Sequence, residues 1–141
     1  MDKQLPDKWI RKAIFEAINN VTVDDKIIPC YDTMVVGQSN DYYVILSTQS
    51  NEVDRSLKCG YRWNSNIIID ITGVYDGNKS GRVKVDNILD KVRDLTKDLT
   101  LDVASGLEII DVRQSFPSDI VSTRENKIIY RKLIRLELLI N

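Results

Sequence analysis

From Tyr61 to Thr72 the chain alternates so regularly that one structure accommodates it. Tyr61, Trp63, Ile67, Ile69 and Ile71 share one parity; Arg62, Asn64, Asn66, Asp70 and Thr72 share the other, and Ile68 alone breaks the pattern. Side chains of a strand point to opposite faces in turn, so this period predicts one buried face and one wet face. Asp76-Gly77-Asn78-Lys79-Ser80-Gly81 then interrupts it as a loop. Beyond the loop, Val85, Ile88, Leu89, Val92, Leu95 and Leu99 recur at helical spacing with charges between them, which predicts an amphipathic helix.

The rest of the chain builds on this strand–loop–helix unit. Residues 7–20 form a first predicted helix, with Asp7 as N-cap and an apolar stripe of Ile10, Ala13, Ile14, Ala17 and Ile18. Extended structure is expected within residues 21–36, with a short piece at Val21 to Ile28; Pro29 opposes a central strand there, and Gly37 to Asp41 form a turn cluster. Tyr42 to Thr48, rich in aromatic and β-branched residues, is a strand. Gln49 to Leu57 is polar and longer than a hairpin turn, so it is either a flexible loop or the run-on of two strands as a projecting ribbon. After the second helix, Leu107 to Arg113 is a strand and Gln114 to Asn126 a second long polar connection. Lys127 to Ile140 closes the chain as a strand. Within it Ile128, Tyr130, Ile134, Leu136, Leu138 and Ile140 share one parity, Lys132 being the exception, and Arg131, Arg135 and Glu137 occupy the other.

Helices and strands are segregated rather than alternating one for one. The expected class is therefore α+β: a mainly antiparallel sheet flanked by two helices, in the order α-β-β-α-β-β. With 141 residues and no linker or repeat, residues 1–141 are expected to form a single domain.

Few chemistries are open to this composition. There is no histidine, which removes the commonest general acid/base, the commonest metal ligand and every Ser/His or Cys/His nucleophile pair. Net charge is −1, so no global basic field draws the chain to nucleic acid or membrane. No apolar run approaches the ~20 residues of a membrane span, and the N-terminus lacks the apolar core of a signal peptide. Cys30 and Cys59 are expected to be free thiols in an intracellular, reduced protein.

Local candidates also have plain explanations. Asp24-Asp25 lacks calcium-loop spacing. Asp70, Glu108 and Asp111 fall on strands, as carboxylates of some metal nucleases do, but the Glu/Asp-x-Lys follow-up is missing after Asp70. The glycine-rich segment 73–81 carries Lys79-Ser80 before a helix without the phosphate-loop spacing. No cofactor, no metal and no enzymatic activity are expected. Arg124, Lys127, Arg131, Lys132 and Arg135 cluster late; a solvated sheet face explains them, and a partner-facing stripe is the sharper alternative. Phe116, Ile120 and Val121 are apolar residues with no periodic place in a strand. With Arg131 and Arg135 they are the expected partner or subunit contacts.

The element order resembles that of the tail terminator (tail completion) proteins of tailed bacteriophages. The resemblance runs from the helix Trp9 to Asn19, through Ile28-Pro29-Cys30-Tyr31-Asp32 and the strand Tyr42 to Leu46, to the long strand Asn66 to Ile71. A Gly-containing loop, the helix starting near Arg82 and two closing strands complete it. It implies a non-enzymatic homo-oligomeric ring, hexamer or dodecamer, that caps the tail and joins it to the portal or connector. The implied partners are other virion neck and tail proteins, with DNA passing through the ring without sequence-specific binding. The implied location is the virion, after assembly in the host bacterial cytoplasm, with no membrane. Another phage connector or head-closure protein, and a small non-enzymatic binding module of a bacterial host, are the alternatives.

Overall fold

The computed structural model describes residues 5–32, 41–55, 62–77 and 81–141. Helix α1 (Asp7–Ile18) is followed by three short strands, β1 (Val21–Val23), β2 (Lys26–Ile28) and β3 (Cys30–Asp32). Two long strands follow, β4 (Tyr42–Asp54) and β5 (Arg62–Asp76), then helix α2 (Gly81–Thr96) and a single 3-10 turn at Val103–Ser105. Strands β6 (Ile109–Ser115), β7 (Ile120–Arg124) and β8 (Lys127–Ile140) complete the chain. β1 and β2 pair as a separate hairpin, and the main sheet has six strands in the order β3-β4-β5-β8-β6, with β7 also on β8. Every pairing in it is antiparallel except β3 with β4. The class is α+β, with more strands than the simple α-β-β-α-β-β order because residues 21–32 form three short ones and β7 arises within the segment read as a connection.

β5 and β8 form the spine, paired from Trp63↔Ile140 to Asp76↔Lys127. Ile67, Ile69 and Ile71 of β5 and Ile134, Leu136, Leu138 and Ile140 of β8 all lie on one face and are buried. Both helices cover that face. α1 contributes Ile10, Ile14 and Ile18, and α2 contributes Val85, Ile88 and Val92, to the same core. Gly73 is what lets α2 approach: a Cβ there would lie 2.5 Å from Val85 Cγ2 and 2.9 Å from Tyr42 Cε1.

Several boundaries differ from the sequence reading. Pro6, not Asp7, stands at the N-cap of α1, without a side-chain cap; Asp7 is the first helical residue, and its carboxylate accepts from Asn51. The β5 strand continues through Gly73 to Asp76 because Lys127 to Tyr130 pair with it. β6 starts at Ile109, while Leu107 is a buried anchor ahead of it. The polar segment 49–54 is strand. A bulge between Leu46 and Gln49 moves the inward parity from even to odd numbers, so Gln49 and Asn51 face α1 instead of solvent. Asn51 Oδ1 then accepts from Ser65 at 2.6 Å, and Gln49 Nε2 donates to the Asp7 carbonyl at 3.2 Å, which seats the helix start on polar groups.

The connection 114–126 is also mostly strand. Gln114 and Ser115 end β6, and Ile120 to Arg124 pair with Lys127 to Arg131 through a tight turn at Glu125 and Asn126, both left-handed (φ 52 and 65). Asp24 and Asp25 form the equivalent turn between β1 and β2. Tyr61, Cys59, the turn residues Gly37 to Asn40, Ser56-Leu57 and Lys79-Ser80 lie outside the described residues.

Candidate interaction surface

The second face of the sheet carries no helix among the described residues. Near the β3 end it presents Tyr31, Tyr43 and Ile45, and along the spine Ile68, Val74, Ile129 and Leu133, all half-buried. Tyr31 and Tyr43 meet edge to face, 6.1 Å between centroids. In their midst lies a charge pair. Asp70, expected on the wet parity, is only 4% exposed. Arg131 Nε donates to Asp70 Oδ2 at 2.9 Å, and Thr72 Oγ1 donates to Oδ1 at 3.0 Å. The Asp70 hydrogen bond holds the Arg131 guanidinium above its ordinary pKa against the cost of burial. Burial, aided by the Asp70 charge, pushes the Tyr43 phenol up. Asp70 is thus occupied by Arg131 and Thr72, an arrangement that explains the carboxylate structurally.

The two arginines of the expected contact set therefore differ. Arg131 is committed to Asp70, whereas Arg135 is exposed. Arg135 lines a shallow depression of about 350 Å³ with Thr48, Gln49, Ser50, Asn66, Ile68 and Glu137. A neighbouring depression of about 410 Å³ lies between Glu52, Asp54, Asn64, Asn66, Asp111, Arg113 and Glu137. Both are polar, and among the described residues no group of three or more Asp, Glu or Cys side chains is placed to hold a metal ion.

The apolar members are divided: Phe116 follows Ser115, the register partner of Arg135, while Ile120 and Val121 lie further along β8 beside Arg131 and Tyr130. Phe116 is 49%, Ile120 39% and Val121 60% exposed. Ile120 pairs with Arg131 and shares its face; Val121 pairs with Tyr130 and points to the helical side. All of β7 is exposed. The structure therefore brings Ile120 beside Arg131, and sets Arg135, further along β8, opposite Ser115, the residue before Phe116.

Asp119, just ahead of β7, is the residue that sequence reasoning missed. Tyr130 Oη donates to its Oδ2 at 2.6 Å, Arg82 Nη2 lies 3.4 Å from the same oxygen, and Lys132 Nζ lies 3.8 Å from Oδ1. Lys132 also pairs with Asp86 at 3.2 Å, and the Arg82 guanidinium lies over the Tyr130 ring at 4.7 Å. Burial and the hydrogen bond to Asp119 raise the Tyr130 pKa. This cluster ties the root of the β7 arm to α2. It also explains why Lys132 interrupts the apolar parity of β8: its ammonium reaches the carboxylates at the helix edge. The only sequence signal was that interruption.

No family model matches the sequence, and neither does any curated protein. Among solved structures, the fold is similar to that of a protein chain from the virion of a native gene transfer agent (GTA) particle. The TM-score is 0.62 at 15% identity, over 94% of this chain and 96% of that one.

Proposed function

We propose that this chain is a structural component of a phage-like virion, and specifically a ring subunit of the head–tail junction that acts as tail terminator or neck adaptor. The observation that carries the reading is the near-complete mutual coverage with a virion chain, 94% of this chain and 96% of that one. The element order supports the junction role through its resemblance to tail terminator proteins. The exposed arm with Phe116, Ile120 and Val121, and the helix-free face beside it, are surfaces suited to burial against neighbouring subunits. A ring needs heterologous contacts, one surface meeting a different one on the next copy.

Native mass measurement and negative-stain electron microscopy of the purified chain test this. The expected result is a closed ring, hexameric or dodecameric, that binds the end of isolated tails. A chain that stays monomeric and does not bind tails overturns the reading in favour of a host binding module. The triple variant Phe116→Ser, Ile120→Thr, Val121→Thr is expected to remain folded by circular dichroism and to lose ring formation or tail docking.

A further inference from the structure

β6 ends the main sheet, and among the described residues no strand lies beyond it. Such an edge, seven residues long with an irregularity at Ile110, presents outer N–H and C=O groups that no strand among the described residues takes up, and is a template for another strand. Its sequence, Ile109-Ile110-Asp111-Val112-Arg113-Gln114-Ser115, selects which strand fits.

We propose that β6 pairs antiparallel with β6 of a second copy about a two-fold axis at Val112, so that the two sheets become one. Residues directly opposite each other in an antiparallel pair point to the same face, with Cβ atoms about 5 Å apart. In this register Asp111 of each chain stands opposite Arg113 of the other, twice over. Both side chains are on the helix-free face and exposed, and in the single chain they satisfy each other, Arg113 Nε to Asp111 Oδ2 at 3.2 Å. Val112 meets Val112, while Ile110, 44% exposed, sits at the bulge of β6 and Gln114 stays bonded to Arg93 and Thr96 of α2, so the pairing centres on residues 111–113. The neighbouring registers that preserve the sheet faces set Asp111 against Asp111 or Arg113 against Arg113, and like charges directly opposite destabilise a pair. One register is thereby selected and its neighbours rejected.

This contact is isologous, so it is separate from the heterologous contacts of a ring and does not depend on them. It forms whether or not the chain closes into rings, and in a ring it joins two rings back to back.

The test uses full-length chains carrying Asp111→Arg or Arg113→Asp, followed by sedimentation velocity over a concentration series. The wild type is expected to show a two-fold association. Each single variant places like charges opposite one another and is expected to associate about tenfold more weakly or worse. An equimolar mixture of the two variants restores opposite charges at both positions and is expected to recover the association as a mixed pair. Circular dichroism confirms that each variant is folded, and recovery in the mixture shows the same. Wild-type association lacking a two-fold step, variants that associate as the wild type does, or a mixture that fails to recover would each overturn the proposal. Rings that persist in the single variants while the two-fold step disappears separate this contact from the ring reading.

Discussion

Arg131 reaches Asp70 diagonally. In register it stands opposite Thr72, while Asp70 faces Leu133, so the guanidinium crosses the spine to a carboxylate one rung-pair away. The carboxylate would otherwise be an unpaired buried charge on the face that carries no helix among the described residues. Arg131→Met removes its partner and leaves that charge desolvated. The expected loss is about 3 kcal/mol, the low end for a broken buried pair because the arginine side is part-exposed. Urea unfolding measures it, and Asp70→Asn in the same chain is expected to recover part of the loss. A neutral Arg131→Met would mean that water reaches Asp70.

Gly73 makes a second, sharper prediction. Gly73→Ala inserts a methyl between β5 and α2, against Val85 and Tyr42. Because neither strand nor helix can yield without disturbing the core, the cost is expected to be about 1–3 kcal/mol. Pairing it with Val85→Ala should relieve part of the clash, which a double-mutant cycle would reveal as coupling.

Asp119→Ala is expected to act locally. Tyr130 Oη loses its acceptor, worth about 1 kcal/mol, and Arg82 and Lys132 lose a shared anion. Amides of residues 116–124 should exchange faster, while those of β5 keep their protection. Uniform acceleration across the sheet would show that the cluster stabilises the whole domain.

The pH response of α1 follows from Lys12, whose Nζ lies 2.5 Å from Asp102 Oδ2. That hydrogen bond, with the Ala104 N–H and the lysine charge, holds the Asp102 carboxyl below its usual range. A depressed carboxyl contributes stability above the ordinary carboxylate pKa, about 4, and loses it as pH falls through the lowered value. Lys12 is raised by the same bond, so its contribution is present below its ordinary range and fades as pH rises through the raised value. Both groups are solvent-exposed, so the effect on stability is small. NMR titration of Lys12→Met should return Asp102 upward toward the ordinary carboxylate range; an unmoved titration would assign the shift to Ala104.

How much of this was written in the residues varies by element. β8 was legible end to end, because its inward parity stays apolar for the whole strand except at Lys132, even though Ile129, Leu133 and Leu139 put apolar groups on the other face. The α2 stripe was equally clear. β7 was not, since its turn is Glu125-Asn126, two residues in left-handed backbone without a glycine to announce it. The inward turn of Gln49 and Asn51 depended on a bulge, which a period-2 count cannot register. Phe116, Ile120 and Val121 stood out as apolar residues without a periodic home; all three are exposed, but Ile120 and Val121 belong to β7, a strand the sequence reading did not contain. The burial of Asp70 was invisible because the side chain that covers it lies 61 residues further on. Asp119 was hidden for the same reason: one acid among polar neighbours is unremarked until α2 and β8 converge on it.

The β5–β8 ladder has a mechanical consequence. It holds fourteen rungs in unbroken register, so a force along the strand axis loads all of them together in shear. A force that lifts β7 from β8 instead opens five rungs one after another, as a zip. Under tension the arm yields first and the spine last, so the chain can deform at its rim while its centre keeps its shape.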